Sequence, residues 1–384
     1  MFVSRLELEN WRNFRKLDVP LRQRMFIVGA NASGKSNLLD VFRFFRDIAK
    51  PGGGLQYAIS ERGGLSPIRC LAARRYPDIK LEIELSEEVG KPPKWRYSIG
   101  IKQQQRGKFK PFLAYEKAWH EDVLVCDRPD TDDKGDEARL TQTHMEQINS
   151  NIKFREIPNF LEKVTYLHLV PQLVRHSREF SGPGLTGDPF GRSFLERIGQ
   201  VPEKIRRSRL KLIEGALTLA VPQLKELSYV TDASEGGTPH LEALYEHWRP
   251  NGVKQREREF SDGTLRLLGL LWSLLDGDSM LLLEEPELSL NASIVRELAA
   301  LIYRMQKRRN RQVLISTHSA DLLQDAGIAP EEILLLHPER EGTTVQLAAD
   351  NSEVRQLLEG GLTPADAVLP RTAPDRVSRL RLFE

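Results

Sequence analysis

Two cysteines in 384 residues, Cys70 and Cys126, lie far apart and form no C-x-x-C pair. That excludes a cysteine zinc site and argues against a disulfide framework. The histidines His120, His144, His168 and His176 are scattered without metal-ligand spacing and read as structural or surface residues. Long apolar runs are also missing: the longest, Leu265 to Leu275, is interrupted by Arg266 and is far too short to span a bilayer. The first residues alternate apolar and charged side chains, with no signal-peptide core, so a cytoplasmic protein without membrane contact is expected. Neither sign of charge dominates; a net charge of +2 means that any basic surface must come from local clustering. There is no internal repeat and no sustained heptad pattern.

What is present is the profile of a globular chain, with 40% hydrophobic and 29% charged residues. Residues 2–8 alternate as in a half-exposed strand, and Met25-Phe-Ile-Val28 is a short buried one. Apolar residues then recur at helical spacing between Asn37 and Ile48, and Pro51-Gly-Gly-Gly54 ends that helix. Residues 79–126 read as antiparallel strands with polar turns, and the acidic segment Asp127–Glu137 as a mobile loop. From about 145 to 227 the pattern is mostly helical, broken by a Gly/Pro-rich loop at Ser181–Gly191, with Phe194–Leu227 as a lid or arm; residues 228–260 read as strands. After Ser261, helix and strand alternate: Thr264–Leu275, Met280–Leu283, Ala292–Arg308, Gln312–Ser316 and Ile333–Leu336. This order predicts an α/β fold with a mostly parallel sheet. Residues beyond Asn351 carry no pattern that assigns them.

Four motifs carry chemistry. Gly29-Ala-Asn-Ala-Ser-Gly34-Lys35-Ser36 matches G-x-x-x-x-G-K-[ST], set between a strand and a helix. Backbone N–H groups of such a loop wrap phosphates, Lys35 supplies a cation to the β- and γ-phosphates, and the Ser36 hydroxyl suits Mg²⁺. The helix N-terminus adds its positive dipole end, and Ser33 and Asn37 flank the same turn. In Met280-Leu-Leu-Leu-Glu284-Glu285-Pro-Glu287 an apolar strand delivers carboxylates where an open α/β sheet binds ligands. Glu284 would serve the metal shell and Glu285 the attacking water. Ser261-Asp-Gly263-Thr264 opens a helix, where capping and anion binding draw on the same free N–H groups. His318, in Ser-Thr-His-Ser after the next strand, can reach a γ-phosphate or its water.

The order of these motifs, with Leu8-Glu-Asn-Trp-Arg-Asn-Phe-Arg-Lys16 leading into the first, resembles the ATPase head of the ABC/SMC superfamily. Within it, the soluble RecF-like and OLD-like predicted ATPases are the most similar group. The resemblance spans residues 1–50 and 255–325. It implies a head-to-head homodimer closed around ATP and Mg²⁺. Gly29, Asn31, Ser33, Gly34, Lys35, Ser36 and Asn37 would bind ATP in one protomer, and Ser261 and Gly263 would cap the γ-phosphate from the other. Glu284 and Ser36 would hold the metal, while Glu285, His318 and Lys35 would be catalytic. The sequence departs from the superfamily in having no L-S-G-G-Q signature, Glu284 in place of the commoner Asp, and no convincing Q-loop glutamine; Gln56 and Gln103–Gln105 are poor candidates. The 226 residues between Lys35 and Ser261 (261 − 35) leave no room for long arms, and the segment after residue 325 lacks the D-x-D cluster of a nuclease.

The expected organisation is a head divided between residues 1–70 and 231–350, an antiparallel subdomain at 71–135, a helical insertion at 136–230 and a tail at 351–384. Lys204, Arg206, Arg207, Arg209 and Lys211 form a basic run suited to DNA phosphates, or simply to solvent. A second run, Lys307, Arg308, Arg309 and Arg311, is expected to complement the C-terminal end of its helix. Trp95, Trp119 and Trp248 are expected to pack rather than to stack on bases. The function that follows is an ATP-driven switch acting on DNA or a DNA-processing partner, in genome maintenance or phage defence. The alternative is an ATP-dependent subunit that restrains a separate effector protein.

Overall fold

The computed structural model describes residues 1–73, 78–103, 110–177, 179, 188, 190–232, 237–248 and 251–373. Most of the expected loop at Ser181–Gly191 therefore lies outside the described residues. Strands β1 (Phe2–Trp11) and β2 (Phe14–Pro20) precede β3 (Arg24–Gly29), which feeds α1 (Lys35–Ala49) and two short helices, α2 (Leu55–Ser60) and α3 (Leu65–Ile68). Next come β4 (Ile79–Ser86), β5 (Trp95–Gln103), β6 (Pro111–His120) and β7 (Val123–Arg128), then α4 (Thr131–Gly135), α5 (Glu156–Leu161), β8 (Thr165–Leu167) and α6 (Pro171–Arg175). Helices α7 (Phe194–Gln200) and α8 (Glu203–Ala220) lead to β9 (Leu224–Asp232), β10 (Thr238–Tyr245) and β11 (Val253–Arg256). The chain continues through α9 (Asp262–Leu275), β12 (Leu281–Glu284), α10 (Ala292–Arg309), β13 (Val313–Thr317), β14 (Ile333–Glu339) and β15 (Gly342–Leu347). It ends in α11 (Ser352–Glu359) and α12 (Pro364–Thr372). None of the described helices is long and apolar enough to cross a membrane.

Three sheets result. The central one has the order β15-β14-β3-β13-β12-β8, parallel throughout except for β15. β3, β12, β13 and the first half of β14 are buried on both faces, so they read as apolar runs rather than alternating ones. Successive residues nevertheless point to opposite sides. Met25, Ile27, Leu282 and Leu314 join one core with α1 and the antiparallel sheet, whereas Phe26, Val28, Leu281 and Ile315 join a second core with α8, α9 and α10. The antiparallel sheet, β2-β1-β4-β5-β6-β7, takes its first two strands from before residue 21, so it is not confined to the 71–135 segment. Gln312 ties it to the central sheet by accepting from the Val3 N–H at 2.9 Å and donating to the Val3 carbonyl at 2.8 Å. The third sheet, β11-β10-β9, lies beyond α8.

Several sequence expectations need correction. The mostly helical stretch at 145–227 hides β8, the edge strand of the central sheet. Asp127–Glu137 is an ordered element rather than a mobile loop. Asp130 caps α4 by accepting from the Asp133 N–H at 2.8 Å, and the fully buried Arg128 clamps Asp133 and Glu116 at 2.8 and 3.0 Å. Arg311 does not complement its helix; it is buried and donates to the Ser273 and Asp276 carbonyls, and burial lowers it to about 10. Trp248 is 81% exposed, unlike the buried Trp95. The tail forms α11 and α12, and Val354, Ala367 and Val368 bury into the second core.

Candidate functional site

The C-terminal ends of β3, β13 and β12 lie side by side, because β13 pairs with both of the other strands. At the end of β3 the chain turns through Gly29–Ser36 into α1. A Cβ on Gly29 would come 2.4 Å from the buried Ser33 Oγ, and Gly34 has φ +99° with room for a Cβ taken by the Asn13 side chain. Both positions therefore require glycine. Asn13, in the turn between β1 and β2, donates to the Ser33 carbonyl at 3.0 Å, and Thr343 at the start of β15 donates to the same oxygen at 2.9 Å. Asn37 is held on this flank, donating to Asn13 Oδ1 at 2.8 Å, while Asn31 is exposed at the outer end of the loop. Neither Asn13 nor Thr343 stands out in the sequence as a support for the loop; Thr343 is 310 residues from Ser33.

Lys35 is buried and donates to the Gly29 and Ala30 carbonyls at 2.9 and 3.2 Å. Burial depresses its ammonium pKa, opposed by the charges of Glu285, Glu284 and Glu287; Glu285 Oε1 is 4.0 Å away. The Glu284 carboxylate at the end of β12 accepts from Ser36 Oγ on one oxygen and from the Tyr166 hydroxyl on the other. Tyr166 comes from β8, and its short strand gave no sequence signal. Burial, then the Glu284 charge, hold its hydroxyl well above the usual tyrosine range, so it stays a proton donor. His168, two residues on, approaches the Glu284 carbonyl at 3.4 Å.

Glu285 follows with φ +44°, a left-handed conformation that costs a non-glycine residue about 1–3 kcal/mol. Its N–H donates to the Ser316 carbonyl at 3.0 Å, and Oε1 lies 3.1 Å from His318 Nδ1. Glu287 turns inward instead. Thr317 donates to one of its oxygens, the other is buried without a partner, and burial raises its pKa. Ser36 and Glu284 thus offer two hard oxygens in contact, a donor set suited to Mg²⁺.

Ser261 and Gly263 are placed differently. Ser261 caps α9, accepting from the Thr264 N–H at 3.1 Å, and its hydrogen bonds stay within that cap. Arg175 of α6 pairs with Asp262, and Gly263 packs so tightly on the loop after β12 that a Cβ would sit 2.7 Å from the Ser289 carbonyl. Gln56 donates to the Pro111 and Thr141 carbonyls, and Gln104 and Gln105 lie outside the described residues.

One grouping escaped the sequence: the fold brings Glu116, Cys126 and His144 within metal-ligating reach. Glu116 already accepts from Tyr97, Arg128 and the His144 and Met145 N–H groups, and burial pushes the Cys126 thiol up to about 12. The Arg128 guanidinium already pairs with Glu116 there at 3.0 Å.

A parallel sheet with a phosphate loop at the end of β3, and carboxylates at the end of β12 two strands away across β13, has the fold of an ABC/SMC-type ATPase head. The chain belongs to the family described as "AAA domain, putative AbiEii toxin, Type IV TA system", which matches residues 24–324. No curated protein matches it. Among solved structures it is similar to an SMC head bound to the C-winged helix domain of ScpA, at 15% identity, 90% of this chain, 97% of that one and a TM-score of 0.51. A Pyrococcus furiosus Smc head with an extended coiled coil, bound to the C-terminal domain of ScpA, has 13% identity, 94% and 99% coverage and the same TM-score. The two likenesses support the ABC/SMC-type head fold expected from the sequence.

Proposed function

We propose that the protein is an ATP-driven switch in which two heads close face to face around ATP and Mg²⁺. The carrying observation is that Lys35, Ser36, Glu284, Glu285 and His318 converge from three neighbouring strands, while among the described residues the Ser261 side chain hydrogen-bonds only within its own cap. The second copy completes the site by bringing its Ser261 and Gly263. The backbone of Gly29–Ser36 grips the phosphates. Lys35 would exchange its loop carbonyls for the β- and γ-phosphates, and Ser36 and Glu284 would hold the metal. Bound Mg²⁺ would neutralise the charge that builds on the phosphates. Glu285 orients and deprotonates water, with His318 fixing its carboxylate.

Exchange of Glu285 for Gln should lower turnover at least about 10²-fold while nucleotide binding persists. It should also leave an ATP-dependent dimer visible by sedimentation. Turnover at the normal rate would remove Glu285 from the mechanism.

The task served is contact with DNA or a DNA-processing partner, within the RecF-like and OLD-like setting of genome maintenance or phage defence. One observation favours restraint of a protein effector over direct DNA contact. Four cations of the basic run are occupied: Arg206 on the Gly199 and Val201 carbonyls, Arg207 on Glu203, Arg209 on Asp276 and Lys211 on Glu214. The ScpA domains seen on SMC heads are a precedent for a protein partner. ATP hydrolysis measured with and without duplex DNA separates the two; unstimulated turnover supports the effector reading.

A further inference from the structure

Away from the nucleotide site, α8 and α10 wall an open groove of ≈ 470 Å³ whose floor is the C-terminal half of α9. Leu212, Ala216, Leu271, Leu274, Leu301 and Met305 line it. On α8, Leu212 and Ala216 form a stripe at i, i+4 that Leu219 continues at i+7; Leu212 is 55% and Leu219 86% exposed. A stripe of this kind left open to water marks an interaction surface. Arg308 and Arg309 close one end of the groove. Arg304 and Arg308 have no hydrogen bond or ion pair among the described residues, and Lys307 meets only the Tyr303 ring. Arg308 therefore stands as an uncommitted cation at the end of the apolar walls, with Arg304 one turn before it, while Arg309 is tied to the Leu275 carbonyl.

We propose that this groove docks an amphipathic helix of a partner protein that carries acidic residues beside its apolar stripe. Its apolar side chains at i, i+4 and i+7 would fill the space between α8 and α10, and its carboxylates would meet Arg308 at the groove's end, with Arg304 one turn before it on the same helix. Charge selects this occupant over the alternatives. The chain's own last residues, 374–384, carry Arg376, Arg379 and Arg381 against Asp375 and Glu384, and would be repelled. A second copy would bring the same cations toward the groove. Duplex DNA supplies anions but nothing to cover the leucines. The inference is independent of the nucleotide chemistry, since none of these residues belongs to that site.

The test is a selection of displayed 16-residue helical peptides on the full-length protein, with counterselection on Leu212→Asp. A selected peptide is then titrated by fluorescence anisotropy. The expected winners carry apolar residues at i, i+4 and i+7 and an excess of Asp and Glu. Binding should weaken at least about tenfold in Arg308→Glu and in a peptide with its acids changed to lysine, and should survive Lys35→Ala. Both groove substitutions fall on exposed positions, and unchanged melting temperatures will show that the fold is kept. The proposal is overturned by an empty selection, by basic winners, or by affinity indifferent to Arg308→Glu. It is also overturned if deleting 374–384 raises the affinity, if Leu212→Asp abolishes self-association, or if duplex DNA displaces the peptide.

Discussion

Glu287 shows how much a single site depends on where its carboxyl groups point. Glu284 and Glu285 face the phosphate loop, whereas Glu287 is buried with one oxygen unpartnered and its pKa raised by burial. Below the ordinary glutamate value of 4.5 the group is neutral in both folded and unfolded chains, and nothing is lost. As the pH climbs, the unfolded group ionises first, and the native state loses stability until its own raised pKa is passed. Glu287→Gln escapes that penalty, since the amide oxygen can still accept from Thr317. The difference in melting temperature, variant minus wild type, should therefore be more positive at pH 8 than at pH 4.5. A difference that ignores pH would mean that Glu287 is ionised in the fold. At Gly34 the argument is steric: Gly34→Ala drives a methyl group into Asn13 at φ +99°. It should abolish detectable nucleotide binding in equilibrium dialysis while leaving the melting temperature within a few degrees of wild type.

Elements differ in how plainly the sequence announces them. β3, β12 and β13 were legible because each is an apolar run ending in a motif, and the helices after them because their spacing is periodic. The site was legible to the same extent, since Lys35, Ser36, Glu284, Glu285 and His318 all sit where such runs stop. β8 was not, because three residues contain no period, and Tyr166 went with it. The segment after β7 was misread for another reason: its acids look solvated until Arg128 is placed between Glu116 and Asp133 through space. Its pair with Arg128 holds the Asp133 carboxyl well below the usual range. Removing the cation leaves the buried Glu116 without its ion pair and Asp133 with Arg139 alone. Arg128→Met should cost about 3–5 kcal/mol in urea denaturation, and a loss under about 1 kcal/mol would show that water reaches the cluster.

For the whole molecule the question is whether the site needs two chains. Lys35→Ala and Ser261→Arg should each abolish turnover alone. Mixed in equal amounts they should regain roughly a quarter of wild-type activity, because half of the dimers are mixed and each of those has one intact site. If one chain held a complete site, mixing would restore nothing. The close packing of Gly263 on Ser289 then has a further effect. In the proposed dimer, the backbone that would reach across to one nucleotide rests on the segment after Glu285, which would serve the other. In the proposed pair, occupancy on one side would be felt on its opposite, and a departure of the mixture from a quarter of wild-type activity would measure that cooperativity.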